Sequence, residues 1–292
     1  MPYHLLFPLF SSIVFVIGMM LAKRAIERGA SPWTATFLGN LWIAIAWAVI
    51  AVMRQQVVPI EAWGSAAIVG LLFVLGQLFT YLAFQKGDVS VAAPVLGIKV
   101  LMVAVLRSTL AGDAISARVW AAAVLATVGI ALVQGSGGVH KSSSRWLTIF
   151  LAGTAAFCLS CFDVLLQSWG TKWDSPSFLS VVFVSTAIFS LGFLPWCDRP
   201  RKLIQIRAMK WMLAGTILMC LQAMSMSFVL STFGDAVRVN IVYALRGMWG
   251  VVLAWVLAKW VGGNEAGLGR RVMLPRLLGA GLLTTAVVVA IG

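Results

Sequence analysis

Ten uninterrupted apolar runs, each about 18 to 24 residues long, occupy nearly all of this sequence, at about 5–22, 33–53, 62–85, 90–110, 118–135, 146–168, 176–196, 209–232, 236–258 and 272–291. A helix needs about 20 apolar residues to cross the hydrocarbon core of a bilayer. The runs are continuous rather than alternating, which excludes a β-barrel. In lipid, only helices then remain to satisfy the backbone. With 61% hydrophobic against 11% charged residues and a mean hydropathy of +0.98, the chain lacks the polar surface to cover a water-soluble globule. The expected fold class is an all-α integral membrane protein of ten transmembrane helices. The first run has no Lys or Arg ahead of it, Lys23 and Arg24 follow it, and no clear small-residue cleavage site comes after. It reads as a retained helix rather than a signal peptide.

The net charge of +13 raises the question of nucleic acid. The basic residues sit mostly in short connections between runs, where they orient a membrane protein, so no nucleic-acid partner is expected. Connections after odd-numbered runs carry fifteen Lys or Arg residues, and those after even-numbered runs carry five. The positive-inside rule then places the odd connections in the cytoplasm and both termini outside.

The segments 87–99 and 234–246 align without gaps at a constant offset of 147: Gly87 falls on Gly234, Asp88 on Asp235 and Lys99 on Arg246. That offset is about half the chain and marks an internal repeat. The most polar stretch, Gln134 to Arg145 with its Gly and Ser residues, lies between the fifth and sixth runs. The expected organisation is a first five-helix repeat at 1–135, a linker at 136–145 and a second repeat at 146–292. Five is odd, so joined halves insert in opposite senses and the repeats are inverted. Asp88 and Asp235 read as charges at helix N-termini. Gly70, Gly76, Gly97, Gly129, Gly153 and Gly215 read as close-packing positions.

The stretch from Tyr81 through Lys86-Gly87-Asp88 to Ala93-Pro94, then Leu110-Ala111-Gly112-Asp113 and the Gly129-containing fifth run, resembles the drug/metabolite transporter superfamily, specifically its ten-span EamA-type members. The resemblance implies a transporter fold with duplicated halves, and it extends over essentially the whole chain. There are departures. Lys99 and Val100 stand about where many relatives carry an acid followed by proline, and Phe37-Leu38 is followed by Gly39-Asn40 rather than an arginine. The family habit also places both termini in the cytoplasm, against the charge count.

Lys99 and Arg246 each lie about nine residues from a helix end, roughly 14 Å of rise, and a cation at that depth costs about 2.5 to 3.5 kcal/mol. Two readings stand: they line an aqueous cavity and hold an anionic group, or they pair with an intramembrane acid or carbonyls and lock helices together. Some relatives that carry phosphorylated sugars resemble the first. Asp163, the only acid well inside a run, is a candidate proton-coupling carboxylate, a partner for one cation, or a group solvated near the interface. It shares a helical face with Ser160 and Gln167. Asn240 and Tyr243 lie on one face beside Arg246, and Gln77 with Tyr81 on the third helix. These four and Asn40 are either substrate-binding groups in a cavity or interhelical hydrogen bonds. Cys158-x-x-Cys161 on a lipid-embedded helix reads as small apolar packing rather than a redox or metal motif.

No catalytic constellation or phosphate-cradling loop occurs, so the chain is expected to be neither an enzyme nor an ATP-driven pump, with no cofactor. One acid against two bases favours an anion. The expected function is secondary transport of a small polar metabolite, carboxylated or phosphorylated, by alternating access, with proton or ion coupling, in a bacterial inner (plasma) membrane. The alternatives are efflux of drugs or cations, or a non-transporting scaffold or receptor of the same fold. Oligomeric state is not legible.

Overall fold

The computed structural model describes residues 2–55, 58–86, 89–135, 145–261 and 270–292. The helices are α1 (Leu6–Glu27), α2 (Pro32–Arg54), α3 (Glu61–Lys86), α4 (Val89–Gly97), α5 (Lys99–Leu110), α6 (Ala117–Gly135), α7 (Arg145–Gly170), α8 (Ser175–Ser190), α9 (Pro200–Gln205), α10 (Met209–Phe233), α11 (Ala236–Tyr243), α12 (Arg246–Val261) and α13 (Arg270–Ile291), with no strand among the described residues. They make ten spans long and apolar enough to cross a membrane, from Tyr3–Glu27 to Met273–Ile291. The ten-helix, all-α membrane fold expected from the sequence is the one observed.

Local chemistry explains several helix starts. Ser31 sits in extended backbone before Pro32, and its hydroxyl accepts from the Trp33 N–H at 3.3 Å. Asp174 does the same for α8, accepting from Ser177 N–H at 3.3 Å. Asp235 occupies the equivalent position before α11, yet its carboxylate does not cap the helix. It faces His4 and Arg238 instead, each at 3.4 Å, while remaining the charge at the helix N-terminus that the sequence indicated. Gly87 and Asp88, and linker residues 136–144, lie outside the described residues.

Two spans expected to be continuous are broken. The fourth divides at Ile98 into α4 and α5, and the ninth divides at Ala244–Leu245 into α11 and α12. The backbone tightens at both points, with Ile98 N–H donating to Val95 O and Leu245 N–H to Val242 O, each three residues back at 3.1 Å. In α4, Pro94 lacks the N–H that a helix interior needs. In α11, the Asn240 side-chain amide donates to the Ala236 carbonyl four residues back at 2.9 Å. The breaks fall at the same place in the repeat: Lys99 opens α5 and Arg246 opens α12.

The chain packs as two compact units. The first comprises Met1–Ser12, Leu75–Val164 and Asp235–Gly292, and the second Ile13–Val74 and Leu165–Gly234. Each draws on both halves of the sequence, so neither unit coincides with residues 1–135 or 146–292. Within the first unit, α6 and α13 cross where Gly129 faces Gly279. A Cβ on Gly279 would lie 2.7 Å from the Gly129 carbonyl oxygen, and one on Gly129 would lie 3.0 Å from that of Gly279. Gly70, Gly76, Gly97 and Gly215 are likewise crowded, whereas Gly153 has open space and is not a packing position.

Within the second unit, connections meet in the pattern ten antiparallel crossings require. Ser31, after the first span, donates to the Trp196 carbonyl at 2.8 Å after the seventh. Arg54, after the second, faces Asp174 at 3.9 Å after the sixth.

Candidate functional site

Each broken span brings its cation to the first residue of a second segment, immediately after the tightened turn. Both lie in the first unit, on the wall of one small pocket. It is a shallow pocket of about 10 Å³, and its lining includes Gly97, Lys99, Ile130, Asn240, Tyr243 and Arg246. Gly97 makes room here: a Cβ at that position would lie 2.6 Å from Ile130 Cγ2.

α7 supplies the acid. Asp163 is 2% exposed, and its Oδ2 lies 2.7 Å from Lys99 Nζ. The same oxygen accepts from Asn240 Nδ2 at 2.7 Å. An isolated carboxylate at this depth would be expensive, and the ammonium and amide together offset that cost. One turn earlier on α7, Ser160 donates to the Ala156 carbonyl at 2.7 Å and to the Lys99 carbonyl at 3.3 Å. This second bond reaches across to the backbone at the break. One face of α7 thus holds both the head group and the main chain of Lys99. Gln167, on the same face but within the second unit, donates to the Gly234 carbonyl.

The Arg246 guanidinium lies over the Tyr243 ring, 4.4 Å from its centroid, so the tyrosine is a cation–π platform that orients the fork. Two cations and one acid meet around the pocket, an arrangement with a formal surplus of positive charge.

Five of the eight residues singled out from the sequence are therefore brought together: Lys99, Asp163, Asn240, Tyr243 and Arg246. Gln77 and Tyr81 are half-buried on α3 in the same unit and do not line the pocket. Asn40 belongs to the second unit, where it is 2% exposed and donates to Ser190 Oγ at 2.7 Å. Asp163 is buried and ion-paired rather than solvated near an interface. The bond from Asn240 to Asp163 was not legible from sequence, because the two are 77 residues apart. Their only signal was that each is polar inside an apolar run.

The EamA-like transporter family matches residues 2–134, the first five spans. The remaining sequence supplies five further helices long and apolar enough to cross a membrane, so the chain is an integral, multi-pass membrane protein whose first half is similar to that family. No curated protein sequence matches it. A solved crystal structure, described only as that of a protein, is similar over 98% of this chain and 97% of its own length, at TM-score 0.68 and 16% identity. At that identity the likeness speaks to fold alone.

Proposed function

We propose that this chain is an EamA-type secondary transporter for a small anionic metabolite, carboxylated or phosphorylated, in a bacterial inner membrane. The observation that carries this reading is the placement of Lys99 and Arg246 at the starts of two broken half-helices around one pocket. Half-helix N-termini near the midplane suit anionic substrate groups. Arginine adds a planar fork for a carboxylate or phosphate, and lysine a point charge.

The Lys99–Asp163 pair supplies the coupling in this reading. Without substrate, Asp163 neutralises Lys99. When the anion takes Lys99 and Arg246, the Asp163 carboxylate loses its cationic partner while still buried, and a proton from water compensates it. Anion and proton then travel together, and release of both restores the pair. Alternating access of the two inverted halves exposes the pocket to one side and then the other. Asn240 keeps Asp163 oriented through the exchange, and Tyr243 keeps the Arg246 fork in place.

The test is thermal unfolding of the purified protein in detergent against organic acids, sugar phosphates, amino acids and organic cations, for wild type, Lys99→Gln and Arg246→Gln. A ligand specific for the folded state, at 100 times its dissociation constant, adds about 2.7 kcal/mol. Stabilisation of wild type by anions, lost in both variants, is the expected result. Equal stabilisation of all three proteins by cations or neutral compounds would make the pair a structural lock and overturn the anion reading.

A further inference from the structure

The wall of the small pocket has two kinds of residue. Leu96, Gly97, Lys99 and Val100 belong to the broken fourth span, and Asn240, Tyr243, Ala244 and Arg246 to the broken ninth. Among the described residues that line it, only Ile130 comes from a helix without a break, α6.

Helix α6 is held tightly where Ile130 stands. One residue earlier, a Cβ on Gly129 would lie 3.0 Å from both the Gly279 carbonyl oxygen and Leu283 Cγ. Three residues later, the Val133 nitrogen lies 2.9 Å from the place of a Cβ on Gly279. Main chains this close leave α6 no room to draw back. Ile130 itself is 6% exposed, and a β-branched side chain in a helix keeps essentially one χ1 rotamer. Across from it, a Cβ on Gly97 would lie 2.6 Å from Ile130 Cγ2, 3.1 Å from its Cβ and 3.7 Å from its Cδ1. The glycine is already against the isoleucine. What remains beside Lys99 and Arg246 is about 10 Å³, room for about one water molecule.

Resting on the anion reading of this pocket, we infer that Ile130 is a specificity-determining residue, the fixed wall that admits a flat carboxylate head and turns away a tetrahedral phosphoryl one. The two cations attract both heads, since a guanidinium fork and an ammonium suit carboxylate and phosphate alike. Charge alone therefore does not choose between them, and the choice falls to steric exclusion. A carboxylate is thin in one direction and enters a narrow space edgewise. A phosphoryl group is thick in every direction and presses on Ile130. Leu96 and Val100 are carried on the same broken span as Lys99 and shift with it in the proposed cycle, whereas Ile130 stays.

The experiment is thermal unfolding of the full-length protein in detergent against matched pairs of acids. The pairs are acetate and methylphosphonate, glycine and aminomethylphosphonate, and succinate and β-phosphonopropionate, each at a pH where both members carry equal charge. The proteins are wild type, I130V, I130A, K99Q and, as a control for a buried methyl lost elsewhere, I43V in the second unit, where Ile43 is 1% exposed. The midpoint followed against concentration gives an apparent Kd. For each carboxylate that wild type binds, the matching phosphonate should bind about tenfold or more weakly. I130A should cut that ratio about tenfold by improving phosphonate binding. I130V should cut it in part, and it reports even if I130A folds poorly. I43V should keep the wild-type ratio. A ratio unchanged in both Ile130 variants, or phosphonates bound by wild type as tightly as carboxylates, overturns the role of Ile130, and anion binding lost in K99Q then leaves the anion reading standing. No anion binding by wild type, or binding that K99Q retains in full, overturns the anion reading and the role of Ile130 with it.

Discussion

Lys99 and Asp163, 2.7 Å apart with side chains 16% and 3% exposed, each make the other tolerable inside the membrane. Removing one partner leaves the other charge buried, a loss of about 3 to 5 kcal/mol, whereas replacing both with apolar groups can be nearly neutral. Lys99→Met should therefore lower the unfolding midpoint in detergent without substrate, and Lys99→Met/Asp163→Leu should recover most of it. Asp198 gives a second test, outside the spans. Burial pushes its carboxyl up, but the Lys202 ammonium, the Ser31 N–H and the Thr34 hydroxyl outweigh that and hold it below the ordinary carboxylate range. The folded group binds its proton less readily than the unfolded one. Its contribution is thus full above about pH 4 and fades as pH falls through the depressed folded value. The stability gap between wild type and Asp198→Asn, followed by thermal unfolding from pH 7 downward, should narrow below about pH 4. A gap constant with pH would mean the carboxylate charge is not what holds this connection.

At the scale of elements, the crossing of α6 and α13 separates two kinds of glycine. Gly279→Ala drives a Cβ to 2.7 Å from a backbone oxygen and 2.9 Å from Val133 N, atoms that move only if a helix moves. Gly281, two residues on, has nothing within 4 Å. Gly279→Ala should cost about 1 to 3 kcal/mol and Gly281→Ala little, read as unfolding midpoints. Most elements were legible because length and apolar continuity decide a membrane helix. All ten spans follow from those two properties, with ends off by a few residues. The breaks at Ile98 and Ala244–Leu245 were not. Apolar composition runs straight through them, and the three-residue bonds that tighten the backbone at Ile98 and Leu245 leave no mark in it. Cations inside apolar runs pointed to the candidate site. Its closing contacts join α5, α7 and α11, and a single sequence does not state which helices are neighbours.

For the whole molecule, a count of ten crossings predicts both ends of the chain on one side of the membrane and the connections after the first and seventh spans on the other. Single cysteines introduced at Arg28 and Arg201 should be modified by a membrane-impermeant thiol reagent from the same side. Cysteines near residue 3 and residue 292 should be modified from the opposite side. The weight of Lys and Arg predicts that the Arg28 side is the cytoplasmic one. Labelling of Arg28 and residue 292 from one side would break the ten-span count.

The α6–α13 crossing also bears on how such a protein moves. Where side chains interdigitate, helices can shift by changing rotamers, but at Gly129 and Gly279 two main chains touch with nothing between them to rearrange. That seam behaves as a weld. In the proposed transport cycle α6 and α13 would travel as one body, and the flexing around the neighbouring pocket would fall to the two tight turns before Lys99 and Arg246.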